Sequence, residues 1–186
     1  MRLVASTEFH CGSRLYSVDS VLPAELADQV LQVFETPELW HPAPEFAHTT
    51  GRLGLTESNS AVDQLREYLA QPEFAEQVSS ILGQRVKYLD LSLWSDQPGF
   101  IVTEHRDLDL YGYALQLYLA PAARERLNQP VGTVFFTEDH RPVFELAYRH
   151  NSGYLIDRTY TLNHGMTRPA VESRYSVYIR LAAVDS

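Results

Sequence analysis

From Arg85 onward, the apolar residues of this 186-residue chain return at every second position, a period that pleated strands impose and helices cannot use. Over Val86 to Trp94, residues Leu89, Leu91 and Leu93 take one face, and Tyr88, Asp90, Ser92 and Trp94 take the other. Gly112 to Leu119 repeats the pattern, with Tyr113, Leu115, Leu117 and Leu119 opposite Gly112, Ala114, Gln116 and Tyr118. Arg174 to Leu181 does so again, with Tyr175, Val177, Ile179 and Leu181 opposite Arg174, Ser176, Tyr178 and Arg180. Phe100 to Thr103 reads as a further apolar strand, and shorter ones are predicted around Thr133 to Thr137, Pro142 to Tyr148, Tyr154 to Asp157 and Thr159 to Leu162.

Any one of these strands could simply turn its polar face to water. Taken together, the polar faces carry small residues, hydroxyl-bearing aromatics and two arginines in place of scattered Lys and Glu. That shared character predicts a barrel or jelly roll around a polar cavity, its leucine faces covered by helices. The helices come from the first 83 residues, which read as largely helical. Pro23 opens one that runs to about Phe34. Ser60 reads as the N-cap of a second, through Val62, Leu65, Tyr68 and Leu69. Pro72 opens a third, which Gly83 ends. With no internal repeat and no low-complexity run, residues 1–186 read as one domain, in which 1–83 give helical support and an entrance loop and 84–186 form the core.

Charge and cysteine usage narrow the classes of partner. The formal charge is −9, from 24 acidic residues against 15 Lys plus Arg, and such a surface repels phosphate backbones and anionic lipid. Neither nucleic acid nor membrane is therefore an expected partner. The one cysteine, Cys11, excludes an intramolecular disulfide framework and any multi-cysteine metal site. No stretch has the apolar length of a signal peptide or a membrane span, so a cytoplasmic location is expected.

The densest chemistry lies at His105-Arg106-Asp107. His and Asp two apart on an extended chain project to one side, so both can ligate one metal. A lone His-x-Asp is common by chance. The same residues open the kinase catalytic-loop pattern, but position 112, where that pattern needs Asn, is Gly. His164, just past a predicted strand, offers a third ligand; two histidines and a carboxylate are the donor set of non-haem Fe(II) sites with open positions. Arg174 and Ser176 share a face of the last strand, a fork and a hydroxyl suited to a carboxylate. A guanidinium inside a barrel needs an anionic partner. Arg180, inward by the same parity, reads as a structural ion-pair partner. Asp139 and His140 form an alternative metal pair with no third ligand at useful spacing, and His10, His41, His48, His140 and His150 read as surface or loop residues.

The order Pro98-Gly99-Phe100, His105-x-Asp107, Tyr118-Leu119, Gly132-Thr133, His164-Gly165 and Arg174-x-Ser176, with the arginine ten residues after His164, resembles the 2-oxoglutarate and Fe(II)-dependent oxygenases near their prolyl-hydroxylase-like branch. The resemblance covers Arg85 to Leu181. It implies a mainly β fold, a double-stranded β-helix (jelly roll) with the N-terminal helices packed on one sheet. It implies that His105, Asp107 and His164 bind Fe(II), that Arg174 pairs with the distal carboxylate of 2-oxoglutarate with help from Ser176, and that Tyr118 hydrogen-bonds the same cosubstrate. Trp94 stands near the place where relatives put a cosubstrate-contacting tyrosine, and the Gly-Gly pair of many relatives is Val131-Gly132 here. The implied activity is that of a dioxygenase using Fe(II), 2-oxoglutarate and O2, releasing succinate and CO2 and hydroxylating a small metabolite, amino acid or peptide. Halogenating relatives carry a small residue where Asp107 stands, so the carboxylate favours hydroxylation.

Other classes share parts of this pattern. A non-catalytic or metal-dependent small-molecule-binding jelly-roll protein is the alternative; a binding module without turnover would be expected to lose a metal ligand, and none is lost here. A Zn(II) hydrolase fits two histidines and an aspartate, yet has no need of an internal arginine and serine. The segment Trp40 to Asn59 reads as a loop with room for a strand in its middle, longer than the typical connection of about four to six residues. Its Trp40, His41, Phe46, His48 and Arg52 mix stacking surfaces with hydrogen-bonding tips. That mixture makes it a candidate border of the substrate entrance, with Trp40, Arg52 and Trp94 as candidate contacts, or else a plain connector. Nothing in the sequence fixes the oligomeric state.

Overall fold

Period-two sequence becomes sheet and period-3.6 sequence becomes helix in the computed structural model, which describes residues 1–9, 11–42, 49–55, 59–107, 112–122, 132–157 and 161–184. The first part of the chain forms β1 (Arg2–Glu8), β2 (Arg14–Asp19), α1 (Ala24–Phe34), β3 (Trp40–Pro42), β4 (Thr49–Leu55), α2 (Ser60–Leu69) and α3 (Pro72–Leu82). The second part forms β5 (Val86–Val102), β6 (Tyr113–Tyr118), β7 (Val134–Phe136), β8 (Pro142–Glu145), β9 (Ser152–Ile156), β10 (Asn163–Gly165) and β11 (Arg174–Ala183). An eight-stranded sheet runs in the order β1-β2-β9-β6-β11-β5-β4-β3, and a three-stranded sheet in the order β10-β7-β8. Their pairings are antiparallel. This is the jelly roll with helices on one sheet that the alternation predicts.

Strand parity divides the interior into two cores. Leu115, Leu117, Val177, Ile179 and Leu181 leave the large sheet on one side and pack with Leu26, Val30, Phe34, Leu65, Leu69, Phe74 and Val78 of the three helices. Ala114, Tyr118, Tyr154 and Ile156 leave it on the other side and meet Phe135, Phe144 and Leu146, which belong to or adjoin the small sheet. Fully burying one such aliphatic or aromatic side chain contributes about 1.5–3 kcal/mol, so both layers hold the central strands in place. No helix among the described residues is long and apolar enough to cross a membrane.

The N-terminal third departs from the largely helical expectation, because β1, β2 and β3 lie within it, while β4 is the strand for which the segment Trp40 to Asn59 left room. β1 is an edge strand exposed along nearly its whole length, so neither face is apolar and no alternation marks it. β2 is the opposite case. Leu15 enters one core while Tyr16 and Val18 enter the other, so its apolar residues run together. The second helix is capped by Asn59, whose side chain accepts from the Ala61 N–H at 2.9 Å, one residue before the expected Ser60. The strand expected over Thr159 to Leu162 is found at Asn163–Gly165, with residues 158–160 outside the described set.

Candidate functional site

β5 ends at Val102, and three residues later the chain touches β10. The His105 N–H donates to the His164 carbonyl at 3.0 Å, and the His164 N–H donates back to the His105 carbonyl at 2.9 Å. That single bridge brings residues 59 positions apart in sequence side by side, with imidazole centroids 4.4 Å apart. Asp107, two residues on, projects to the same side. Its Oδ1 lies 3.6 Å from His105 Nε2 and 3.5 Å from His164 Nε2. One potential donor atom from each residue lies within 4.8 Å of the other two, and this is the group of metal-compatible side chains found among the described residues.

The backbone sets the tautomers. His105 Nδ1 lies 2.9 Å from the Thr103 carbonyl, and His164 Nδ1 lies 3.2 Å from the Leu162 carbonyl. A carbonyl can only accept, so each Nδ1 carries a proton and each ring is held with its Nε2 turned toward the centre. Burial of Asp107 would raise its pKa. The two neighbouring histidines and the Tyr178 hydroxyl, which donates to it, outweigh burial and hold the carboxyl well below its usual range. For His164, burial would lower the pKa, and the Asp107 carboxylate reverses that and leaves it raised. Two imidazole Nε2 atoms and one ionised carboxylate oxygen converge there, the donor set that fits a divalent metal.

Beside this centre the large sheet lays out a polar row. Arg52 of β4 pairs with Asp96 of β5, which pairs in turn with Arg174 of β11. Adjacent strands stand about 4.8 Å apart, close enough for the side chains to meet. Arg52 Nε donates to Asp96 Oδ1 at 2.7 Å and its Nη2 to Oδ2 at 3.2 Å, while Arg174 Nε donates to Oδ2 at 3.2 Å. Asp96 is fully buried and Arg174 is 4% exposed, so two guanidinium groups share one carboxylate away from water. Desolvation would lower the Arg174 pKa, and the Asp96 charge keeps it raised. Phe100 stacks between the two arginines, 4.8 Å from Arg52 Cζ and 5.5 Å from Arg174 Cζ, and Trp94 lies 5.0 Å from Arg52 Cζ. The next row holds Trp94, Ser176 and Tyr118 in register. Ser176 Oγ is buried with no hydrogen-bond partner among the described residues. The Tyr118 hydroxyl accepts from the Thr133 N–H at 3.0 Å and shares a hydrogen bond with Thr133 Oγ1 at 2.6 Å.

His105, Asp107 and His164 are thus brought together, and Arg174, Ser176, Tyr118, Trp94 and Arg52 lie on one sheet face beside one another. Trp40 does not join them, which corrects its expected place at the substrate entrance. It is 7% exposed within the helix-side core, stacked on Phe34 at 4.8 Å, and its Nε1–H donates to the Val33 carbonyl at 3.1 Å. The 3₁₀ turn Pro37–Leu39 before it carries the indole back onto α1. Phe46 and His48 of the same segment lie outside the described residues, and His41 is exposed. Arg180 pairs with Asp90, and His140 with Glu104 at 2.8 Å. Asp96 and Tyr178 are absent from the sequence-based site. Parity was the available signal, since Asp96 follows Trp94 by two and Tyr178 follows Ser176 by two.

No protein-family model and no curated protein matches the sequence. Solved structures do. A prolyl-4-hydroxylase of Pseudomonas putida superposes with a TM-score of 0.64 at 17% identity, covering 90% of this chain and 91% of that one. A prolyl hydroxylase from Trichoplax adhaerens, in complex with a hypoxia-inducible-factor peptide fragment, gives 0.68 at 13% identity over 90% and 83%. An oxidoreductase of the 2OG-Fe(II) oxygenase family from Burkholderia pseudomallei gives 0.67 at 10% identity over 93% and 86%. Over 90–93% of its length the chain therefore has the double-stranded β-helix fold of the 2-oxoglutarate/Fe(II) oxygenases.

Proposed function

We propose that the protein is an Fe(II)- and 2-oxoglutarate-dependent dioxygenase that hydroxylates a small metabolite, an amino acid or a peptide. The observation that carries this reading is the buried, unpartnered Ser176 hydroxyl, set one row from Arg174 on the sheet face that adjoins the three metal donors. A buried hydroxyl without a partner costs roughly 1–3 kcal/mol, and a ligand carboxylate removes that cost.

The charges agree in sign and number. Arg52 and Arg174 against Asp96 leave one positive charge in the pocket. A divalent ion on Asp107 leaves one more, and a dianion such as 2-oxoglutarate balances the two. His105, Asp107 and His164 would hold the iron, which when bound supplies the oxygen chemistry by which R–H, 2-oxoglutarate and O2 become R–OH, succinate and CO2. The chain's own part is to hold and orient. Arg174 and Ser176 take the far carboxylate, and Tyr118, its oxygen already receiving the Thr133 N–H, donates its own proton to the same group. Phe100, Phe135, Ile156 and Leu162 wall the site with apolar surface and keep water from it.

The test is aerobic incubation of the purified protein with Fe(II) and 2-oxoglutarate against panels of amino acids, peptides and biosynthetic intermediates, reading succinate. Succinate release that one panel member stimulates, with a product heavier by one oxygen atom, is the expected result. Metal uptake with neither binding nor turnover of 2-oxoglutarate would place the chain among metal-dependent binding proteins and overturn the oxygenase reading.

A further inference from the structure

We propose that Tyr178 is a positioning residue that holds Asp107 to the metal by one oxygen, and so keeps three coordination positions open for small molecules. The inference rests on the metal reading above. Tyr178 lies on the cavity side of β11, on the face that also carries Arg174 and Ser176. Its hydroxyl donates to Asp107 Oδ2 at 2.9 Å. The other carboxylate oxygen, Oδ1, is the one that faces both Nε2 atoms, at 3.6 and 3.5 Å. The two oxygens of Asp107 therefore have separate tasks.

A carboxylate is able to bind a metal through one oxygen or to chelate through both. Chelation by Asp107 would need Oδ2 to turn into the centre, away from Tyr178. The phenol hydroxyl is the donor in that bond, so it favours the one-oxygen arrangement. The other two ligands are held in the same way. Thr103 fixes His105 and Leu162 fixes His164, each through Nδ1. Every ligand thus has its outward atom engaged and one donor atom left for the metal. With three donors on a six-coordinate ion, three positions remain, two for a chelating keto acid and one for O2. A chelating Asp107 would take one of these.

The experiment uses the full chain loaded with Mn(II), as wild type and as Tyr178→Phe, which keeps the ring and removes the hydroxyl. Bound Mn(II) is counted by electron paramagnetic resonance, and coordinated water is counted by water-proton relaxivity per bound ion. The expected result is retained Mn(II) with inner-sphere relaxivity lower by about one third in Tyr178→Phe, from three waters to two. A residue that only supports the fold would change how much metal is bound and leave relaxivity per ion unmoved; that result overturns the proposal. Wild-type protein that takes up no Mn(II) overturns the metal reading and this inference with it. Should Tyr178→Phe fail to fold, infrared difference spectra of the Mn(II)-loaded and metal-free wild type, with the aspartates labelled with carbon-13, decide the matter. A wide splitting between the two carboxylate stretches supports one-oxygen binding, and a narrow, chelate-type splitting overturns it.

Discussion

Replacing Asp96 by Asn leaves the shape of the pocket nearly unchanged and removes its negative charge. In the native protein Asp96 is fully buried and receives Nε and Nη2 of Arg52 and Nε of Arg174. The Arg174 side chain is 5% exposed and that of Arg52 is 15% exposed, so water cannot replace the lost carboxylate at either. Breaking a buried ion pair from one side costs about 3–5 kcal/mol. At about 2–4 °C per kcal/mol for a domain of this size, Tm should fall by roughly 6–20 °C. The control is Asp90→Asn, whose pair with Arg180 is about half exposed and should matter by less than about 1 kcal/mol. Added 2-oxoglutarate should then raise Tm more in Asp96→Asn than in the wild type, because each guanidinium that has lost Asp96 gains more from a ligand carboxylate. Thermal unfolding by circular dichroism, with and without 2-oxoglutarate, reads both effects. A variant that melts with the wild type would show that Asp96 does not carry the two arginines, and the charge argument for a dianionic ligand would fall with it.

Three further outcomes follow from the same geometry. Arg174→Ala should weaken 2-oxoglutarate binding by about ten- to a hundred-fold in calorimetry, and Arg174→Lys should recover only part, because a point charge cannot reproduce the fork. Ser176→Ala should leave the stability of the ligand-free protein unchanged or slightly higher, since its hydroxyl has no partner to lose, yet lower 2-oxoglutarate affinity by about three- to ten-fold; a loss of stability without a loss of affinity would contradict the assignment. Trp40→Ala should cost about 3–5 kcal/mol in denaturant unfolding while the folded fraction binds metal normally, and an unchanged midpoint would put the indole somewhere other than against Phe34.

Where one chain property decided the outcome, it was legible. Alternation in β6 and β11 assigned Leu115, Leu117, Val177 and Ile179 to the helix side and Tyr118, Arg174 and Ser176 to the cavity, and both cores form that way. Donor chemistry offered His164 as a third ligand beside His105 and Asp107, but the backbone bridge that joins them depends on how two sheets meet and has no local signal. Asp96 was hidden by punctuation. Pro98-Gly99 reads as the end of a strand, yet β5 continues through it to Val102. The ladder tolerates this because β4 shifts register between Thr50 and Arg52, opposite that stretch, so the missing Pro98 N–H interrupts no regular pair. The same shift placed Arg52. Gly51 takes φ of +74° there, a conformation that most side chains resist, and the next residue falls in line with Asp96 and Arg174. Thr49–Leu55 contains two glycines and no regular alternation, so the sequence left room for a strand there without fixing its bounds or register. Trp40 failed for a different reason. Its neighbours Pro42 and His41 are exposed, and only the docking of the indole on α1 distinguishes it from them.

Placing this chemistry on β11 has a physical logic. The strand is hydrogen-bonded on both sides, to β5 and to β6, and its outward residues Val177, Ile179 and Leu181 are fully buried against the helix layer. A slip of one residue would turn that apolar set into the cavity and push Arg174 into the leucine core, at the cost of a buried charge without a partner. Register is therefore fixed by the hydrophobic layer, not by the site. The inward residues inherit that precision in turn: Arg174 for Asp96, Ser176 for the anion proposed above, Tyr178 for Asp107, Arg180 for its ion pair with Asp90. Each is spaced by two, about 6.6 Å along the strand. Two such steps carry one strand from Arg174, buried beside Asp96, to Tyr178 on the outer oxygen of Asp107, so a single rigid element spans both ends of the site proposed above for a keto acid.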